Sequence, residues 1–234
     1  MFFYSFDLIL IAAAVIPALI LLVYIYRHDR LEPEFPKLRR TLVLMGILST
    51  FFAIVCETVG SAVLDQMYLS DTQYNLLMYF IVVACSEEGG KYILLNKKTW
   101  KNPEFNCQFD AVVYATFVSL GFALWENISY VFSYGMGTAV IRAVTAVPGH
   151  ACFGVFMGAF YGIAKRYQKL GNQSASAFYR IMAFVGPVLL HGTYDYIATD
   201  GSEAATVMFF GFVAIMFFTS WRLVKKLAAS DSFI

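Results

Sequence analysis

Charge is what this 234-residue chain has least of: 14% of its residues are Asp, Glu, Lys or Arg, against about 25% in an average soluble domain. With 59% hydrophobic residues, 23 Phe and a mean hydropathy of +0.65, the shortage excludes an ordinary water-soluble fold. The net charge of +1 is no argument for nucleic acid, and none is expected as a partner. Cysteine is scarce too. Cys56, Cys85, Cys107 and Cys152 show no Cys-x-x-Cys spacing and mostly fall inside apolar runs, so they read as small core residues, not disulfides or metal ligands. Loops long enough for an independent domain, low-complexity linkers and tandem repeats are all missing, so any activity lies in or at the membrane. The first apolar run follows no Lys or Arg and ends in no small-residue cleavage pattern, so a retained helix is expected, not a signal peptide.

What the chain does have is seven apolar runs, at residues 3–26, 41–64, 74–95, 109–134, 138–164, 177–198 and 203–223. Each is long enough to span, since about 20 residues cross the hydrocarbon core. The fold class expected is all-α: a polytopic bundle of about seven transmembrane helices, forming a single membrane-embedded domain over residues 1–234. Of the 17 Lys and Arg residues, all but Lys91 and Arg142 lie in segments 27–40, 96–108, 165–180 and 222–226, while 65–73, 135–137 and 199–202 carry none. Basic loops stay in the cytoplasm. The alternation predicts an N-terminus outside and a cytoplasmic C-terminus.

Against this background one stretch stands out, Ala84-Cys-Ser-Glu-Glu-Gly-Gly-Lys-Tyr92. Glu87 and Glu88 are adjacent carboxylates inside a spanning run, where ionised groups are costly and mark function by default. Lys91 lies within helical reach of both, as a supporting residue or simply as a neutralising ion pair. At about 1.5 Å of rise per residue, Glu87 lies ~20 Å from the outer end of its span, Glu126 and Asn127 ~11 to 12 Å, His150 ~18 Å and His191 ~11 Å. Helices running alternately up and down therefore place their polar groups in one layer. Ser119, Phe122 and Glu126 share one helix face, and Asp195 lies four residues after His191, placed to fix that ring's tautomer. Gly154, Gly158 and Gly162 continue from His150 as a packing stripe. Glu57, with no companion on its own helix, reads as structural or solvent-facing, and Arg142 as snorkelling to the outer surface.

Such a layer could activate water for amide hydrolysis, bind a metal, or relay protons for transport. In hydrolysis a glutamate is the general base, with Asn127, His150 or His191 stabilising the oxyanion. No His-Glu-x-x-His and no Cys cluster is present, so no metal and no cofactor is expected, and a metal-dependent hydrolase stays an alternative. A proton-coupled carrier is a second alternative, although neither broken helices nor symmetry between halves is evident.

Four motifs in order carry a resemblance: Glu87-Glu88-Gly-Gly-Lys91, Phe122-Ala-Leu-Trp-Glu126-Asn127, Pro148-Gly-His150 and His191-Gly-Thr-Tyr-Asp195. Together with Asp110-Ala-Val-Val-Tyr114, Ser119-Leu-Gly-Phe-Ala123 and Arg27-His-Asp-Arg-Leu-Glu-Pro-Glu34, they resemble the PrsW-type membrane proteases. These sit within the intramembrane glutamic proteases that include the CAAX-processing and bacteriocin-processing enzymes. The resemblance covers nearly the whole chain. It implies an endopeptidase in a bacterial plasma membrane, with Glu87 as water-activating base, His150 assisting, and His191 and Asp195 stabilising the oxyanion and orienting the group. Glu126 stands where the wider group often has His, with Asn127 as an alternative donor. Lys91 stands one position earlier than the Arg of the CAAX enzymes, which argues against a prenylated substrate. The implied partners are the lipid bilayer and a single-pass membrane protein, an anti-sigma factor cut first on its extracytoplasmic side in a stress response.

Overall fold

The computed structural model describes residues 2–32 and 34–234, and among them all regular structure is helical. Pro33, part of the motif that follows the first helix, and the side chains of residues 2–7 at the start of the first span lie outside the described ones. The elements are α1 (Phe2–His28), α2 (Pro36–Leu64), α3 (Asp71–Leu76), a π-helical segment Leu77–Ala84, α4 (Cys85–Thr99), α5 (Asp110–Tyr134), α6 (Met136–Val144), α7 (Ala146–Lys169), α8 (Gln173–Thr199) and α9 (Glu203–Ala229). Local chemistry starts and stops them. Pro36 opens α2, where its missing N–H costs nothing. Ser70 and Gln73 cap α3 reciprocally. Gly135, at φ +81°, ends α5 in a conformation that residues with a side chain rarely adopt.

Five stretches are long and apolar enough to cross a membrane: Leu8–His28, Pro36–Leu64, Asp110–Tyr134, Met136–Lys169 and Glu203–Ala229. The unbroken rod through α3, the π segment and α4, and the 27-residue α8, are comparable in length but carry the intramembrane acids and His191. Seven long rods thus stand where seven apolar runs are expected. The fifth differs in detail. The run 138–164 is divided at Thr145 (φ −122°, ψ −73°) into α6 and α7. Pro148 is the cause: it has no N–H for the carbonyl of Val144, and its ring crowds that carbonyl. What remains as α6 is a nine-residue amphipathic helix that exposes Val140, Ile141 and Val144 and turns Arg142 inward.

α5 is the central rod, buried along most of its length, and α1, α2 and α7 pack around it. The glycine stripe of α7 acts as expected: a Cβ at Gly154, Gly158 or Gly162 would overlap the backbone of residues 108–116. Gly46 of α2 and Gly121 of α5 make the same kind of contact on the other side. These small-residue crossings bring backbones close enough for short polar side chains to reach across. Ser119 Oγ of α5 donates to the carbonyl of His150 on α7 at 2.6 Å.

Candidate active site

Side chains of adjacent helical residues point about 100° apart, and the two glutamates of α4 diverge accordingly. Glu87, 6% exposed, lines a cavity of about 440 Å³. Glu88 is fully buried and turns away from it toward α8. Lys91, one turn further on and also fully buried, reaches back to both: its Nζ is 3.2 Å from Oε2 of Glu87 and 2.7 Å from Oε1 of Glu88. The face of Phe122, from α5, covers the ammonium at 3.8 Å.

From this pair a chain of charge-assisted hydrogen bonds runs through α4, α5, α6, α7 and α8. Lys91 donates to Nδ1 of His150 at 3.2 Å, so the proton of that ring lies on Nε2, which donates to Oε2 of Glu126 at 2.8 Å. The same Glu126 oxygen receives Arg142 at 2.6 Å. On the other side, Nδ1 of His191 lies 3.0 Å from Oε1 of Glu88 and 3.9 Å from Oε2 of Glu87, while its Nε2 faces Oδ2 of Asp195 at 3.2 Å. Both nitrogens of His191 face carboxylates, an arrangement that an imidazolium satisfies. Phe153 stacks on the ring at 4.8 Å and 18°.

Of the residues singled out from the sequence, Glu87, Glu126, His150, His191 and Asp195 all border the cavity. Glu88 and Lys91 stand behind Glu87, out of it. Asn127 requires a correction. It is fully buried, its amide donates to the carbonyl of Ala14 on α1 at 2.8 Å, and its Oδ1 accepts from Arg142 at 3.0 Å. Being next to Glu126 in the helix, it points away from the cavity and cannot be its oxyanion donor. Two expectations about charge also change. Arg142 does not snorkel outward but clamps Glu126 and Asn127 from α6, over the ring of Tyr130 at 4.1 Å. Glu57 borders the cavity on α2, in line with Thr50, Ala53 and Ile54. A sign of the second was present in the sequence, because positions 50, 53, 54 and 57 repeat at helical spacing.

A family profile described as "PrsW family intramembrane metalloprotease" matches residues 36–221. Among curated relatives, Protease PrsW of Oceanobacillus iheyensis is 29% identical over 218 residues, covering 93% of this chain and 95% of the relative. That of Clostridioides difficile is 30% identical over 221 residues, covering 93% and 88%, and that of Geobacillus kaustophilus is 32% identical over 194 residues, covering 80% and 79%. No solved structure matches.

The word metalloprotease can be tested on the side chains. Glu87, Glu88 and His191 have donor atoms within 4.8 Å of one another. One oxygen of each glutamate is, however, already held by the Lys91 ammonium, and Nδ1 of His191 is taken up with Glu88. A dication about 3 Å from that ammonium would be repelled by on the order of 10 kcal/mol even at an effective dielectric constant of about 20. Oε2 of Glu88 and Oε1 of Glu87 make no hydrogen bond among the described residues, but each belongs to a carboxylate whose other oxygen is held by the ammonium. The arrangement does not fit a resident metal ion; the positive charge is built in as a lysine. By the extent of the profile match and the length of chain shared with its relatives, this chain belongs to the PrsW family of intramembrane proteases.

Proposed function

We propose that the chain hydrolyses a peptide bond with a water activated by Glu87. The observation that carries this reading is the division of labour within the adjacent pair: Glu87 alone borders the cavity, while Glu88 is buried between Lys91 and His191. Glu87 takes a proton from water as the oxygen attacks the scissile carbonyl. The proton then passes from Glu87 to the leaving amine as the C–N bond breaks. Lys91 and His191 supply fixed positive charge behind the attacking group. His150 links Lys91 to Glu126, which keeps the rear of the site in register.

The substrate proposed is a single-pass membrane protein, an anti-sigma factor by the family resemblance, cut on the extracytoplasmic side in a bacterial plasma membrane. The distribution of basic residues supports this orientation, since the ends carrying segments 65–73 and 199–202 have no Lys or Arg. Purified protein in liposomes, offered a candidate anti-sigma factor, tests the mechanism. Glu87→Gln is expected to lose cleavage by at least about a thousandfold, the scale on which an essential base acts, and His191→Ala to lose most of it. Undiminished cleavage by both variants overturns the proposal. Labelling of a Met67→Cys variant by an impermeant maleimide from outside the cell tests the orientation.

A further inference from the structure

Among the described residues four carboxylates border the cavity, and three of them already hold a partner: Lys91 for Glu87, Arg142 and His150 for Glu126, His191 for Asp195. Glu57 has neither an ion pair nor a hydrogen bond among the described residues, although it is only partly exposed. A partly buried carboxylate with no counter-charge is costly inside a bundle. Among the described residues the cavity has no cation to spare for it: Arg142, the one Lys or Arg bordering the cavity, is committed to Glu126 and Asn127, and His191 lies between Glu88 and Asp195.

The surroundings carry the same sign. Ala198 and Thr199, at the C-terminal end of α8, border the cavity, so it lies toward the end of the bundle that bears segments 65–73 and 199–203. There Asp65, Asp71, Asp200 and Glu203 are exposed, and no Lys or Arg is present. A polypeptide entering from that end meets negative charge on the rim and then one unmatched carboxylate on the wall.

We propose that Glu57 is a specificity-determining residue: its carboxylate receives a Lys or Arg side chain of the substrate segment drawn into the cavity, close to the bond attacked by the water that Glu87 activates. The substrate class is thereby narrowed to membrane proteins with a basic residue on the flank next to the scissile bond. The inference rests on the peptidase reading above, and its test separates the two.

Binding is measured without turnover, in the Glu87→Gln background and in zwitterionic phosphatidylcholine liposomes. The probes are fluorescent single-span model peptides with a Leu/Ala core and, at successive positions of one flank, a single Lys, Ala or Glu. The Lys peptide is expected to bind roughly tenfold more tightly than the Ala peptide at one or two adjacent positions. Adding Glu57→Gln, which keeps the shape of the side chain, brings the ratio to about one, and Glu57→Lys turns the preference toward the Glu peptide. Equal binding of the three peptides, weak or strong, overturns the proposal, as does a Lys preference that survives Glu57→Gln in protein with an unchanged melting curve. Failure of the unsubstituted protein to cleave any peptide counts against the peptidase reading and leaves this preference measurable.

Discussion

Lys91 Nζ lies 3.2 Å from Nδ1 of His150, on a helix 59 residues further along the chain, and in the same position it holds Glu87 and Glu88. The ammonium is therefore the hub of the site, linking three side chains from two helices. Removing one partner of a buried ion pair costs about 3–5 kcal/mol, because it strands a charge. Lys91→Met is expected to destabilise the protein by that order and to lower its melting temperature in detergent. The double variant with Glu88→Gln should recover part of the loss, since the stranded charge is then removed. A Lys91→Met protein as stable as the parent would show that the carboxylates find other partners.

Arg142 is a positioning residue. It donates through Nε to Asn127 and through a terminal nitrogen to Glu126, and a lysine cannot reproduce that planar two-pronged contact. With a charge-assisted hydrogen bond contributing about 1.5–3 kcal/mol, Arg142→Lys is expected to reduce kcat by roughly ten- to a hundredfold and to change KM little. The distinguishing readout is the nitrogen NMR signal of His150, whose tautomer loses definition when Glu126 is free to turn. A fall in kcat with an unaltered His150 signal would remove the positioning role.

Much of this site was legible in the sequence because it is written in helical spacing. The divergence of Glu87 from Glu88, the reach of Lys91 to both, the His191–Asp195 pair and the shared face of Ser119, Phe122 and Glu126 all follow from intervals of one, three and four residues. The seven rods were legible because lipid demands long apolar runs. What escaped was set by contacts between helices. Arg142 meets Glu126 across a turn of chain that begins at Gly135, so no interval within one helix announces it. Asn127 has the right residue type and depth, but its direction depends on where α1 lies. The division at Thr145 is local, yet apolar composition conceals it, and Pro148 was the one available sign. The π-helical segment Leu77–Ala84 has no compositional mark at all, since α and π turns use the same apolar residues.

The α5–α7 crossing makes a prediction about packing. A side chain at Gly158 would overlap the backbone at Ala111 and Val112, whereas a Cβ at Gly137 meets nothing within 4 Å. Gly158→Val should therefore part the helices that carry Glu126 and His150, costing upwards of about 1–3 kcal/mol and abolishing cleavage. Gly137→Ala should leave the melting temperature within a degree or two. Retained activity in Gly158→Val would mean that the two helices can separate without dispersing the site.

The position of the Lys91 ammonium also bears on metal dependence. With one oxygen each of Glu87 and Glu88 held by lysine, exhaustive chelation followed by transfer into metal-free buffer should leave cleavage within about twofold of the untreated rate. A loss restored by adding back a divalent cation would show that Lys91 gives way to a metal in the working state.

A pH dependence arises far from the cavity, in the segment between α1 and α2. Glu34 and Asp29 are both buried there; Glu34 accepts from the Tyr114 hydroxyl, and Asp29 accepts from the Glu34 N–H at 3.3 Å. Burial pushes Glu34 up to about 7 and Asp29 to about 6, with the nearby carboxylates of Glu32, Glu104 and Asp231 adding to the effect and Arg39 opposing it at Asp29. The unfolded chain should titrate near their ordinary values of 4.5 and 3.8. Groups raised in the folded state bind protons more tightly there, so the stability they confer is full below about pH 4 and is lost as pH rises through about 6 and then 7. Melting curves recorded from pH 5 to pH 8 should therefore fall with rising pH, and Glu34→Gln should flatten that fall, chiefly between about pH 5 and 7, while raising the melting temperature at pH 8. Parallel curves for the two proteins would assign the slope to other groups. Because the comparison is a difference between curves, titration around the cavity cancels from it, and what remains reports the burial of the Glu34 carboxyl, which the hydrogen bond from Tyr114 of α5 opposes.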